Sequence, residues 1–109
     1  MPPLNRYWHK NKIRMSAHEF ELGNAIQAYL NEVGIRNRMK IEAAIADWGR
    51  IMGLAIAAKT GKIWHKDGVL YVQMTDPAWR SELTFAKTKI KDVMNAEMGE
   101  ELIQEVKVM

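Results

Sequence analysis

Cysteine is absent from this chain, which removes disulfides, thiolate-held zinc and thiol nucleophiles together. The absence fits a reducing cytoplasm, the compartment expected here. Proline occurs only three times, and Pro77 alone falls between periodic segments. No apolar run approaches the roughly 20 residues of a membrane span, and Met1-Pro2-Pro3 does not open a signal peptide. A soluble protein is expected. At 109 residues the chain can bury one modest core and not two. A hydrophobic content of 48% excludes a fully disordered chain.

Acidic residues are missing from one stretch. Residues 1–15 carry Arg6, Lys10, Lys12 and Arg14 with no acid, a local +4 against a whole-chain +3, so the remainder is net −1. With Pro2, Pro3, Asn5 and Asn11 and no apolar period, residues 1–15 are expected to form a flexible basic arm. Such an arm either serves solubility or meets a polyanion.

Ser16 and Glu19 make the S-x-x-E pattern of a capping box, which starts a helix. Leu22, Ile26, Tyr29, Leu30 and Val33 follow at helical spacing, and Gly34 suits a left-handed stop. A second helix is expected from near Asn37, with Ile41, Ile45, Trp48 and Met52 as its apolar stripe. The stretch from Gly53 to Ala58 is ambiguous and can prolong it by a turn. Ile63-Trp64-His65 and Val69-Leu70-Tyr71-Val72 flank Asp67-Gly68, a hairpin signal because a type I′ turn needs positive φ at both central residues. A two-residue loop pairs Trp64 with Tyr71 and His65 with Leu70; a three-residue loop shifts the pairing by one.

Leu70, Val72 and Met74 share one face of a strand that stops at Asp76-Pro77. Asp76 is a good N-cap and Pro77 fits the first helical position. One helix is expected from Pro77 to about Met98, with Trp79, Leu83, Ala86, Ile90 and Met94 on its apolar stripe and Gly99 as its stop. Leu102 to Met109 is β-rich and makes a third strand. The expected fold class is α+β in two layers, helices on one face of a small three-stranded sheet. Residues 16–109 form the single domain.

Catalytic chemistry has little to stand on. His9, His18 and His65 lack metal-ligand spacing, and no nucleophile–base arrangement is visible. Thr60-Gly61-Lys62 lacks the spacing of a phosphate loop. Glu97, Glu100 and Glu101 read as solvated surface. No catalytic residue, cofactor, metal or small-molecule substrate is expected, and the protein is read as a non-enzyme.

Basic and aromatic groups are more suggestive. Arg80, Thr84, Lys87 and Lys91 recur at four, three and four residues, a basic stripe that either tracks phosphates or is an ordinary solvated face. Trp64 and Tyr71, near Lys62 and Lys66, either stack bases of a single strand, pair across the hairpin or lie buried under the first helix. Tyr7-Trp8 repeats the combination within the arm, and Arg36, Arg38 and Lys40 add a third basic cluster. Trp48 and Trp79 lie on apolar stripes and are assigned to the core.

Trp48-Gly49-Arg50-Ile51-Met52-Gly53 resembles the W-x-x-hydrophobic-hydrophobic-G motif of the DciA family, formerly a domain of unknown function. Asp67-Gly68-x-Leu70-x-Val72 and Asp76-Pro77-Ala78-Trp79-x-x-Glu82-Leu83 resemble that family's G-x-L-x-V and P-A-W-x-x-E-L blocks. The likeness runs from about Asn37 to Met109. It implies a K-homology-like domain and a bacterial, cytoplasmic, nucleoid-associated role in DNA replication, helping to load or operate the DnaB-type replicative helicase on single-stranded DNA. The chain lacks a G-x-x-G loop, so the standard K-homology clamp is not expected. Many family members also carry a long tail that contributes to helicase or DNA contact; here either contact would be weakened or would move to residues 1–15.

The nucleic-acid-binding candidates are therefore Arg6, Lys10, Lys12, Arg14, Trp64, Lys66, Tyr71, Arg80, Lys87 and Lys91. The expected partners are single-stranded DNA (or RNA) and the helicase, with no membrane. The alternatives are a protein-interaction module that leaves DNA to its partner, and an RNA-binding K-homology-like protein.

Overall fold

The Asp67-Gly68 turn sets the register of the sheet. Asp67 takes φ 51° and Gly68 φ 79°, the left-handed pair that a two-residue turn between twisted strands requires. Strands β1 (Thr60–Lys66) and β2 (Val69–Met74) pair antiparallel, Trp64 against Tyr71 and His65 against Leu70, as expected from a two-residue loop. The register shifts between Thr60 and Ile63.

The computed structural model describes residues 16–109. The expected arm, with Arg6, Lys10, Lys12 and Arg14, lies outside the described residues, as do Tyr7, Trp8 and His9. In chain order the elements are α1 (Ala17–Ala46), α2 (Trp48–Met52), α3 (Leu54–Ala58), β1, β2, α4 (Pro77–Phe85), α5 (Lys87–Met98) and β3 (Glu105–Val108). No described helix is long and apolar enough to cross a membrane. The chain divides after Gly34 into two units, the second being Ile35–Met109.

In the first unit, the Ser16 hydroxyl accepts the Glu19 amide at 3.1 Å, which begins α1 where the capping box places it. Phe20, Leu22, Ile26, Tyr29 and Leu30 are all exposed along it.

The expected stop at Gly34 and restart near Asn37 do not occur, because α1 runs through both. A glycine costs a helix interior only about 1 kcal/mol relative to alanine. Arg36, Arg38, Met39 and Lys40 are good helix formers that offset it. Positive φ among the described glycines is confined to Gly53, Gly68 and Gly99.

In the second unit, Ile41 and Ala44 are the buried residues of α1, and Trp48 that of α2. The turn at Asp47 separates those helices. Gly53 stands at φ 96°, ψ 154°, backbone that residues with a side chain strongly disfavour. That conformation makes Leu54–Ala58 a separate one-turn helix, resolving the ambiguous stretch.

The Asp76 side chain accepts the amides of Ala78 at 2.8 Å and Trp79 at 3.4 Å, with Pro77 in the first turn of α4. The single helix expected from Pro77 to Met98 is two. Ala86 leaves helical geometry at φ −107°, ψ 15°, and its amide bonds back to Leu83 rather than four residues away. Leu83 before the break and Ile90 and Met94 after it join the same core. Gly99 ends α5 in the left-handed region as expected.

Because a helical crossover separates β2 from β3, these strands run parallel. The sheet order is β1-β2-β3. Leu70, Val72, Met74 and Val106 face the helices, where Leu70, Val72, Met94 and Ile103 are fully buried. The result is the expected two-layer α+β arrangement, helices on one face of a three-stranded sheet.

Candidate nucleic-acid interface

Strand alternation sends Trp64 and Tyr71 to the sheet face opposite the helices, because their neighbours Ile63, Leu70 and Val72 turn inward. The two rings stack across the strands with centroids 5.3 Å apart and planes 7° from parallel. The parallel register of β3 sets Lys107 beside Tyr71 from the other side. Its Nζ lies 5.9 Å from the Tyr71 ring centroid, within cation–π range. Trp64, Tyr71 and Lys107 therefore form one row across the three strands.

This row assigns different capacities to the two rings. Tyr71 has Trp64 on one side and Lys107 on the other, and is half-buried. Trp64 sits on an edge strand and is 40% exposed, so it is the ring with a face to offer a planar ligand. Lys66 is exposed at the end of the same strand, opposite Val69, and Lys62 shares its parity. Glu105 is the acid on this face, opposite Val69 on the β3 side.

Lys87 and Lys91 come to a different place. They line a groove along β3 with Thr88, Gln104, Glu105 and Val106. Arg80 is exposed on α4, and the break at Ala86 separates it from those lysines. The expected continuous basic stripe is thus divided between two helices. The Thr84 hydroxyl donates to the Arg80 carbonyl at 2.7 Å and is spent within its own helix.

Other charged residues are neutralised internally. Arg50 bonds both Asp47 and Glu97, and these carboxylates, Glu97 above all, raise its pKa from the ordinary value. Lys40 pairs with Glu100. Glu97 and Glu100, expected as plain solvated surface, therefore tie the end of α5 to α1 and α2. Pairs this exposed are screened by solvent and contribute little to stability. His65 turns inward and its Nε2 lies 2.7 Å from a Glu42 carboxylate oxygen, while His18 is exposed. Among the described residues no three His, Asp or Glu side chains gather as a metal site would require.

Lys107 is the residue that sequence patterning misses. Alternation along Glu105-Val106-Lys107-Val108 puts Glu105 and Lys107 on one face, but which face depends on the direction and register of pairing. Only the parallel crossover decides that.

Compared with known proteins, residues 21–108 match a family model described as Dna[CI] antecedent, DciA. No curated protein matches the chain, and no solved structure matches it.

Proposed function

The chain belongs to the DciA family, which is linked to the replicative helicase in DNA replication, and on that premise we propose that it is a non-enzymatic accessory protein that presents single-stranded DNA to that helicase. The observation that carries this role is the row of Trp64, Tyr71 and Lys107 on a sheet face flanked by Lys66. A base stacks on the face of Trp64 turned away from Tyr71, whose ring supports the other face of the indole. Lys66 and Lys107 take the flanking phosphates. Arg6, Lys10, Lys12 and Arg14 add contacts that read no sequence, and Lys87, Lys91 and Arg80 extend the path around β3 and α4. The role asks for positioning and charge neutralisation, with no bond made or broken.

Fluorescence anisotropy of a labelled oligothymidine against salt tests this role. Affinity is expected to fall linearly on logarithmic axes, by about 0.7 in slope for each phosphate neutralised on a single strand. Replacing Lys66 and Lys107 together by alanine is expected to lower the slope by about 1.4, two phosphates' worth. A flat salt dependence, or a slope untouched by the double change, contradicts the role. Deleting residues 1–15 is expected to lower the slope further, and unchanged binding removes the arm from the interface.

A protein-interaction module is the second reading, and the exposed apolar residues Leu22, Ile26, Tyr29 and Leu30 favour it. An amphipathic helix docks by burying such a face in a partner's groove. Capture of the helicase together with blank gel shifts at low salt would select this role. Competition between RNA and DNA oligonucleotides separates the RNA-binding form.

A further inference from the structure

The solvent face of α5 carries a pattern that neither the core nor the sheet-face row uses. Phe85 stands at the break between α4 and α5 and is 91% exposed. With Ala86, Lys89, Asp92, Val93 and Ala96 it borders a shallow groove. Positions 89, 92 and 96 are spaced by three and four residues, so these side chains lie on one face of α5, and Phe85 borders the same groove from the end of α4. Lys87 and Lys91 are turned away from it, toward β3. Neither Lys89 nor Asp92 has an ion-pair partner among the described residues.

We propose that this face binds a second copy of the same chain, two α5 helices packing antiparallel about a two-fold axis. The argument is self-complementarity. A two-fold contact requires that if residue i meets residue j, then j meets i. Antiparallel packing centred between Lys89 and Asp92 sets Lys89 of each copy against Asp92 of the other. The same arrangement brings the Phe85 end of the groove in each copy toward the Ala96 end of the groove in the other. The small side chains of Ala86 and Ala96 let the helix axes come close. Opposite charges and a ring with its recess thus fall where the symmetry needs them. A 12-residue helix offers less than the roughly 1,000 Å² of a permanent interface. The dimer is therefore weak and concentration-dependent, and it is independent of the nucleic-acid role.

Sedimentation equilibrium of the full chain, at low salt and over two decades of concentration reaching the high micromolar range, tests the contact. Wild type is expected to pass from monomer to dimer. Phe85→Ser is expected to weaken association by about tenfold or more, since it removes the apolar anchor at the centre of each half-contact. Lys89→Glu or Asp92→Lys alone, which set like charges face to face, are expected to weaken it similarly. The Lys89→Glu/Asp92→Lys double variant restores dimerisation, which a contact with an unrelated protein would not produce. A monomer at every concentration overturns the proposal. So does a dimer indifferent to all three single changes, or a double variant that fails to recover.

Discussion

Replacing Trp48 by alanine is expected to destabilise the second unit by about 3–5 kcal/mol, the range for truncating a large buried aromatic side chain. Trp48 is 4% exposed and lies in the core cluster with Leu70, Val72 and Met94. Its indole N–H donates to the Thr60 hydroxyl at 3.0 Å, and that hydroxyl donates to the Ile56 carbonyl at 2.7 Å. One side chain therefore packs against the sheet and connects α2 to the start of β1 through a polar chain. Alanine opens a cavity and leaves Thr60 without its donor. Trp48→Phe keeps most of the packing and loses only the hydrogen bond, so about 1–2 kcal/mol is expected. Urea unfolding measures both. With slopes of about 1–3 kcal/mol/M for small proteins, the alanine variant should unfold at least 1 M earlier than wild type. A shift no larger than that of the phenylalanine variant contradicts the placement of the indole.

The second large effect belongs to Asn95. Its amide donates to the Ile103 carbonyl at 2.8 Å and its carbonyl accepts the Ile103 amide at 2.9 Å, with the residue only 8% exposed. Asn95 thus acts as a peptide group for a buried residue just before β3 begins. Asn95→Leu has nearly the same size but leaves both backbone groups of Ile103 unpaired. Each such buried group costs about 1–3 kcal/mol, so a loss of about 2–6 kcal/mol is expected. Asn95→Asp keeps the acceptor, loses the donor and sets a carboxylate against the Ile103 carbonyl, and should be no better than leucine at neutral pH. Hydrogen exchange reads the effect locally, as faster exchange at the Ile103 amide. Because β3 carries Lys107, both variants should also weaken oligonucleotide binding. Unchanged Ile103 protection in Asn95→Leu contradicts the clamp.

Local chemistry made much of this architecture legible. Asp67-Gly68 determines the hairpin register because few residue pairs tolerate two consecutive positive φ angles, and Asp76-Pro77 determines the start of α4 because capping and φ agree there. The misplaced helix ends have the opposite origin. Gly34 offered a stop by residue type alone, yet a glycine ends a helix only when the following chain has somewhere to turn. Ala86 carries no breaking signal at all, since the break there comes from packing Leu83 and Ile90 on the same twisted sheet. At Ala86 local propensity yields to tertiary contact, whereas at Gly34 the helix formers that follow carry α1 through.

The candidate site divides along the same line. Trp64 and Tyr71 were legible as neighbours because the turn fixes them. Their use was not, since stacking on each other and stacking on a base leave the same residues in the sequence. Lys107 needed the parallel crossover, and the separation of Arg80 from Lys87 and Lys91 needed the break at Ala86. The carboxylates that neutralise Arg50 and Lys40 come from the Asp47 turn, from α5 and from the residue after Gly99, the last two far in the chain from the cations they meet.

The central claim is that Trp64 offers its free face to a base, and the most direct measurement is single-stranded DNA affinity of Trp64→Leu at fixed low salt. Leucine keeps an apolar side chain over Tyr71 and removes the planar surface, and circular dichroism confirms that the fold is retained. Stacking of one base on an aromatic residue contributes about 1–3 kcal/mol, so affinity should fall by at least about fivefold while the salt slope stays unchanged. Wild-type affinity in the leucine variant would contradict the account and leave the sheet face without a role in binding.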